Sequence, residues 1–123
     1  MSAQKTFALV LGIILLIVGI AGFLPNGLGI VRDGIFGTNA THDVLHIIAG
    51  LFGIYVGTKG QGPGYNRTIG WIGILLFVLG IIPGIGLGAD SLLAQWLNVN
   101  MAISILHLAI GVVALWVGYK ASA

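Results

Sequence analysis

The chain has 123 residues, of which 58% are hydrophobic, 7% are charged and 21 are glycine. About a quarter of the residues of an ordinary soluble domain are charged and about 7% are glycine, so this composition excludes a water-facing surface and points to the lipid bilayer as the solvent. The absence of cysteine closes off disulfide frameworks, thiol nucleophiles and iron–sulfur centres, and a formal charge of only +2, carried by scattered basic residues, excludes nucleic acid as a partner.

In chain order, Lys5 is followed by an uncharged run over 6–24 that stops at Pro25. A run of about 20 apolar residues spans the hydrocarbon core, and this one is longer than the apolar region of a secretory signal. Further runs cover 40–58, ending at Lys59, then 68 to about 82, where Pro83, Gly84, Gly86 and Gly88 make a gradual exit, and 99–119, ending at Lys120. The expectation is an all-α integral membrane protein: a single four-transmembrane-helix bundle over 1–123 with two longer connections, about 26–39 and 84–98. In the second connection, Asp90 is expected to cap a short interfacial helix whose apolar face is Leu92, Leu93, Trp96 and Leu97.

Laid on itself with an offset of 61 residues, the sequence repeats. Gly12 falls on Gly73, Gly19 on Gly80, Asn39 on Asn100, His46 on His107, Gly50 on Gly111, Gly57 on Gly118 and Lys59 on Lys120. Two parallel two-helix repeats, about 1–61 and 62–123, are therefore expected, related by an axis along the membrane normal. Lys5, Lys59, Arg67 and Lys120 share one side, and the other side has only Arg32. The positive-inside rule then puts both termini and the 59–67 link in the cytoplasm.

The glycines are spaced for packing. His46, Gly50, Gly53 and Gly57 follow one helical stripe, repeated as His107, Gly111, Ala114 and Gly118. Small residues on a stripe let backbones approach closely in lipid, where no hydrophobic force favours helix over lipid. Gly12, Gly19, Gly73 and Gly80 extend the same logic to the other two helices, and so many small-residue faces exceed what a small monomer needs. That surplus is the argument for assembly with further copies or with other membrane subunits.

Above these stripes the faces become polar: Asn39, His42, Asp43 and His46 in the first half, Asn100, Ser104 and His107 in the second. His46 lies about 9 Å inside its helix start, a depth at which an ionisable side chain marks a functional site by default. One reading is a hydrogen-bonded plug, with Asn39 and Asn100 as caps and Asp43 accepting from a histidine. A second is a transition-metal site of His42, His46, His107 and Asp43 for zinc, copper or nickel, although Ile103 stands where the repeat would place a counterpart of His42. A third is a tetrapyrrole, haem or chlorophyll, ligated by His46 and His107. A transport pathway lacks polar groups in the cytoplasmic halves of the helices. Catalysis lacks a nucleophile beside the histidines other than Ser104.

The stretch from Asn39 to Gly53, with its Asn-x-x-His-x-x-x-His-x-x-x-Gly pattern, preceded by the run that carries Gly12 and Gly19, resembles small four-span bacterial membrane proteins classified as a domain of unknown function. The resemblance implies a multi-pass protein of a bacterial plasma membrane or thylakoid membrane and supplies no mechanism. The expected function is a non-catalytic accessory, assembly or scaffolding subunit of an oligomer or larger membrane complex. The alternative is a histidine-ligated cofactor protein holding haem, chlorophyll or a transition metal between the second and fourth helices.

Overall fold

A computed structural model describes residues 1–122, leaving Ala123, the end of the expected second repeat, outside the described residues. Those residues form five α-helices and no strand: α1 (Ala3–Ala21), α2 (Ala40–Lys59), α3 (Pro63–Gly80), α4 (Leu92–Leu97) and α5 (Met101–Lys120). Side-chain oxygens start four of them. Ser2 accepts from the Lys5 amide, Asn39 from His42, Ser91 from Ala94 and Asn100 from Ile103, each satisfying one of the amides that a helix start leaves free. The cap of α4 is thus Ser91 rather than Asp90.

The largest shift from the hydropathy pattern is at α3, which starts at Pro63 rather than near residue 68. Proline is pre-organised for the first helical turn, and Gly62, at φ 107°, makes the reversal that a side chain would resist. Tyr65, Asn66 and Arg67 therefore belong to a helix and not to a flexible link. Their polarity also dilutes α3. Among the described residues, three helices are long and apolar enough to cross a membrane, with mean hydropathies of 2.2 for α1, 1.3 for α2 and 2.2 for α5.

Glycine packs the helices into two hairpins. Between α1 and α2, a Cβ placed on Gly12 would lie 2.7 Å from the Gly50 carbonyl oxygen, and one on Gly57 would lie 2.5 Å from Leu9 Cβ. Gly19 lies against the Asp43 carbonyl and Ile47, and Gly53 against Ala8 and Gly12. Between α3 and α5, a Cβ on Gly73 would lie 2.7 Å from the His107 carbonyl oxygen; Gly80 meets Ser104, Gly111 meets Ile74, and Gly118 meets Arg67. Every glycine of the sequence stripes is therefore occupied within the chain. The surplus of small-residue faces that argued for assembly is not there, because each stripe has its partner in the same hairpin.

The hairpins touch each other mainly at their ends. At the end holding the termini, the Gln4 side-chain amide donates to the carbonyls of Val117 (2.6 Å) and Gly118 (3.1 Å) of α5, and Asn66 donates to the Gln4 side-chain oxygen at 2.8 Å. Both residues are almost fully buried. This clip corrects the expectation that the helix halves at this end are bare of polar groups. At the opposite end the two long connections are stitched by asparagines: Asn98 donates to the Thr38 carbonyl at 2.8 Å, Asn100 to that of Ile35 at 3.1 Å, and Asn39 to that of Trp96 at 2.9 Å. Between the two ends, apart from the Tyr65 hydroxyl of α3 donating to the Ala49 carbonyl of α2 at 2.8 Å, the hairpins frame a cleft of about 780 Å³.

Candidate metal centre

The helix starts set what each polar side chain can reach. With α2 beginning at Ala40, His42 and His46 fall one turn apart on one face, while Asp43 is rotated by about 100°. Asp43 and its repeat counterpart Ser104 both turn toward the neighbouring helix of their own hairpin. A Cβ on Gly22, just past α1, would collide with the Asp43 carboxylate, and one on Gly80 of α3 would collide with the Ser104 hydroxyl. The histidines sit beside the glycine stripes rather than on them, and all three line the cleft between the hairpins.

There they converge. One ring nitrogen from each of His42, His46 and His107 can be chosen so that all three lie within 4.8 Å of one another. The His42 ring centroid is 4.4 Å from that of His46 and 5.7 Å from that of His107. His42 is 3% exposed, and its Nδ1 is 3.0 Å from the Leu97 carbonyl oxygen at the end of α4. A carbonyl only accepts, so Nδ1 carries the hydrogen and Nε2 presents a lone pair. Metal-ligating histidines are typically oriented by such a bond. The Nδ1 atoms of His46 and His107 are buried with no hydrogen-bond partner among the described residues, an arrangement that costs free energy unless something else fills the gap.

Asp43 is not part of this group. Its carboxylate, fully buried, pairs with Arg32, Nε to Oδ2 at 2.6 Å, instead of accepting from a histidine. The Arg32 guanidinium also lies 5.2 Å from the centre of the Phe23 ring, and the Arg32 amide donates to the Thr38 hydroxyl at 2.9 Å. Ser104 is buried, its hydroxyl turned against Gly80 and without a partner among the described residues. Asn39 and Asn100 cap their helices and tie the connections above them. The sequence reading missed Arg32, the Leu97 carbonyl and the Gln4–Asn66 clip. Only the first had a signal: it is the sole Lys or Arg on its side of the chain, facing the one acid inside a hydrophobic run.

Chemically, the cluster offers three imidazole nitrogen donors in apolar surroundings, and among the described residues no carboxylate joins the group that comes within 4.8 Å of one another. First-row transition metals suit such a set. Comparison with curated proteins and with solved structures returns no match. Residues 5–120 match the model of a family described as a domain of unknown function (DUF4383), and the chain belongs to that family.

Proposed function

We propose that the chain is a non-catalytic membrane protein that holds a transition-metal ion between its two hairpins, with His42, His46 and His107 as ligands. In this reading all four long helices span a bacterial plasma or thylakoid membrane as two parallel repeats, with both termini cytoplasmic. The observation that carries it is the convergence of three imidazoles, two of them with orphaned buried nitrogens, at one end of an apolar cleft. Three donors meeting around one point favour a single ion over a tetrapyrrole, which needs two axial ligands on opposite faces of an open disc.

An accessory or assembly role is the second reading. It rests on the cleft, whose apolar lining is only partly enclosed by the chain's own helices and which a second copy or another subunit would close. One preparation addresses both: the protein isolated in mild detergent, its native mass measured, its metal content determined and its absorption spectrum recorded. The metal reading expects about one ion per chain, reduced at least tenfold in His46→Gln and in His107→Gln with the helical fold intact. A Soret or chlorophyll band in the parent, lost in both variants, would replace the ion with a tetrapyrrole. A metal-free oligomer unaffected by either substitution would favour the assembly role.

A further inference from the structure

Resting on the metal reading above, we propose that the ion is monovalent copper, held by three imidazoles with no water or anionic ligand. The first ground is charge. The donors are three neutral rings, and among the described residues no acid supplies an oxygen to the group of ligand atoms that come within 4.8 Å of one another. Asp43 pairs with Arg32 through Oδ2 at 2.6 Å and stands outside that group, although its Oδ1 has no partner; Asp33 accepts from Asn98 at 3.1 Å; and Asp90 is exposed in the second connection. The chain has no cysteine to supply a thiolate. The cost of burying an ion rises with the square of its charge, so a divalent ion in this ligand set costs about four times what a monovalent one does.

The second ground is the open side of the triad. A divalent ion on three histidines ordinarily keeps a water or hydroxide in a fourth position, and a buried water needs two to four polar partners. The cleft beside the imidazoles is lined by Leu45, Leu97, Ile103 and Leu106. The Ser104 hydroxyl, three residues before His107, is turned against Gly80 of α3. Ile103 occupies the place where the 61-residue offset would put a counterpart of His42, so the repeat that supplies His107 withholds a fourth donor. Copper(I), a closed-shell ion content with low coordination numbers, fits a site that ends at three.

The geometry is within reach. Nitrogens about 2.0 Å from one metal lie about 3.5 Å apart in a trigonal set, so donors now within 4.8 Å of one another close by small ring rotations. The Leu97 carbonyl keeps the His42 hydrogen on Nδ1 throughout.

The test uses the full chain, metal-free in mild detergent under anaerobic conditions, titrated with copper(I) buffered by a chromogenic chelator, and separately with cobalt(II) and zinc(II). One equivalent of copper should leave the chelator. X-ray absorption should report three nitrogen neighbours and no further light atom, while cobalt gives no ligand-field bands. In Ile103→His, where a fourth imidazole becomes available, cobalt(II) binding with tetrahedral bands should appear. Stoichiometric cobalt or zinc binding in the parent, with copper left on the chelator, would overturn the monovalent assignment and leave the three-histidine site standing. If none of the ions binds parent or Ile103→His, the three-histidine site itself falls.

Discussion

Arg32 and Asp43 form an ion pair whose carboxylate is wholly buried and whose second oxygen, Oδ1, has no partner. Arg32 is held there by a backbone in the left-handed region, φ 64°, which non-glycine residues seldom adopt. Removing one member of a buried pair strands the other charge, so Arg32→Met is expected to cost about 3–5 kcal/mol. Adding Asp43→Asn should recover most of that loss, because no stranded charge then remains. Reversible unfolding in mixed detergent micelles measures both variants, and equal stability of single and double substitutions would mean that the pair contributes nothing. This pairing was legible in principle, since one side of the chain holds a single cation. The Gln4–Asn66 clip was not: an amide near a terminus and another in a glycine-rich stretch look solvent-facing until the fold brings residues 62 positions apart to 2.8 Å.

At the scale of helices, glycine is the packing device. Gly53 and Gly111 test one hairpin each, because a Cβ at either would lie 2.8 Å from the Ala8 carbonyl oxygen or 2.9 Å from the Ile74 nitrogen, both backbone atoms that cannot swing aside. Leucine at either position is expected to separate its hairpin, with a loss of about 3 kcal/mol or more, above the usual range for overpacking because backbone must move. Leucine at Ile13 or Ile20, both exposed, should change stability by less than about 0.5 kcal/mol. Unchanged extraction and thermal stability of the two glycine variants would refute the close-packed hairpins. The stripes themselves were visible as spacing, but what they pack against was not, since a stripe looks the same whether its partner lies in the same chain or in another. Helix limits followed the same divide. The three strongly apolar helices were readable to within about three residues, whereas the start of α3 depended on the Gly62–Pro63 turn and the cap of α4 on a choice between neighbouring Asp90 and Ser91.

Over the whole molecule, two glycine-packed hairpins are joined by polar ties at both ends and by the Tyr65–Ala49 hydrogen bond, and they frame an apolar cleft between them. The histidines line the cleft from α2 and α5, and the end of α4 sets the Leu97 carbonyl against His42. The proposed parallel repeat has both hairpins entering the membrane in the same direction, and it requires α3 to span although Tyr65, Asn66 and Arg67 occupy its first two turns. Those residues are not stranded there. Arg67 donates to the Gly118 carbonyl at 2.7 Å and stacks 4.5 Å over Tyr119, at the level where Lys59 and Lys120 end α2 and α5; long basic side chains reach the interface from such positions. Reporters fused after Ala123 and inserted beside Gly62 should therefore both read as cytoplasmic, and one inserted beside Gly34 as external. If α3 lay on the surface instead of crossing, three spans would put the two chain termini on opposite sides, and an external signal from Ala123 would dismantle both the parallel repeat and the shared histidine site.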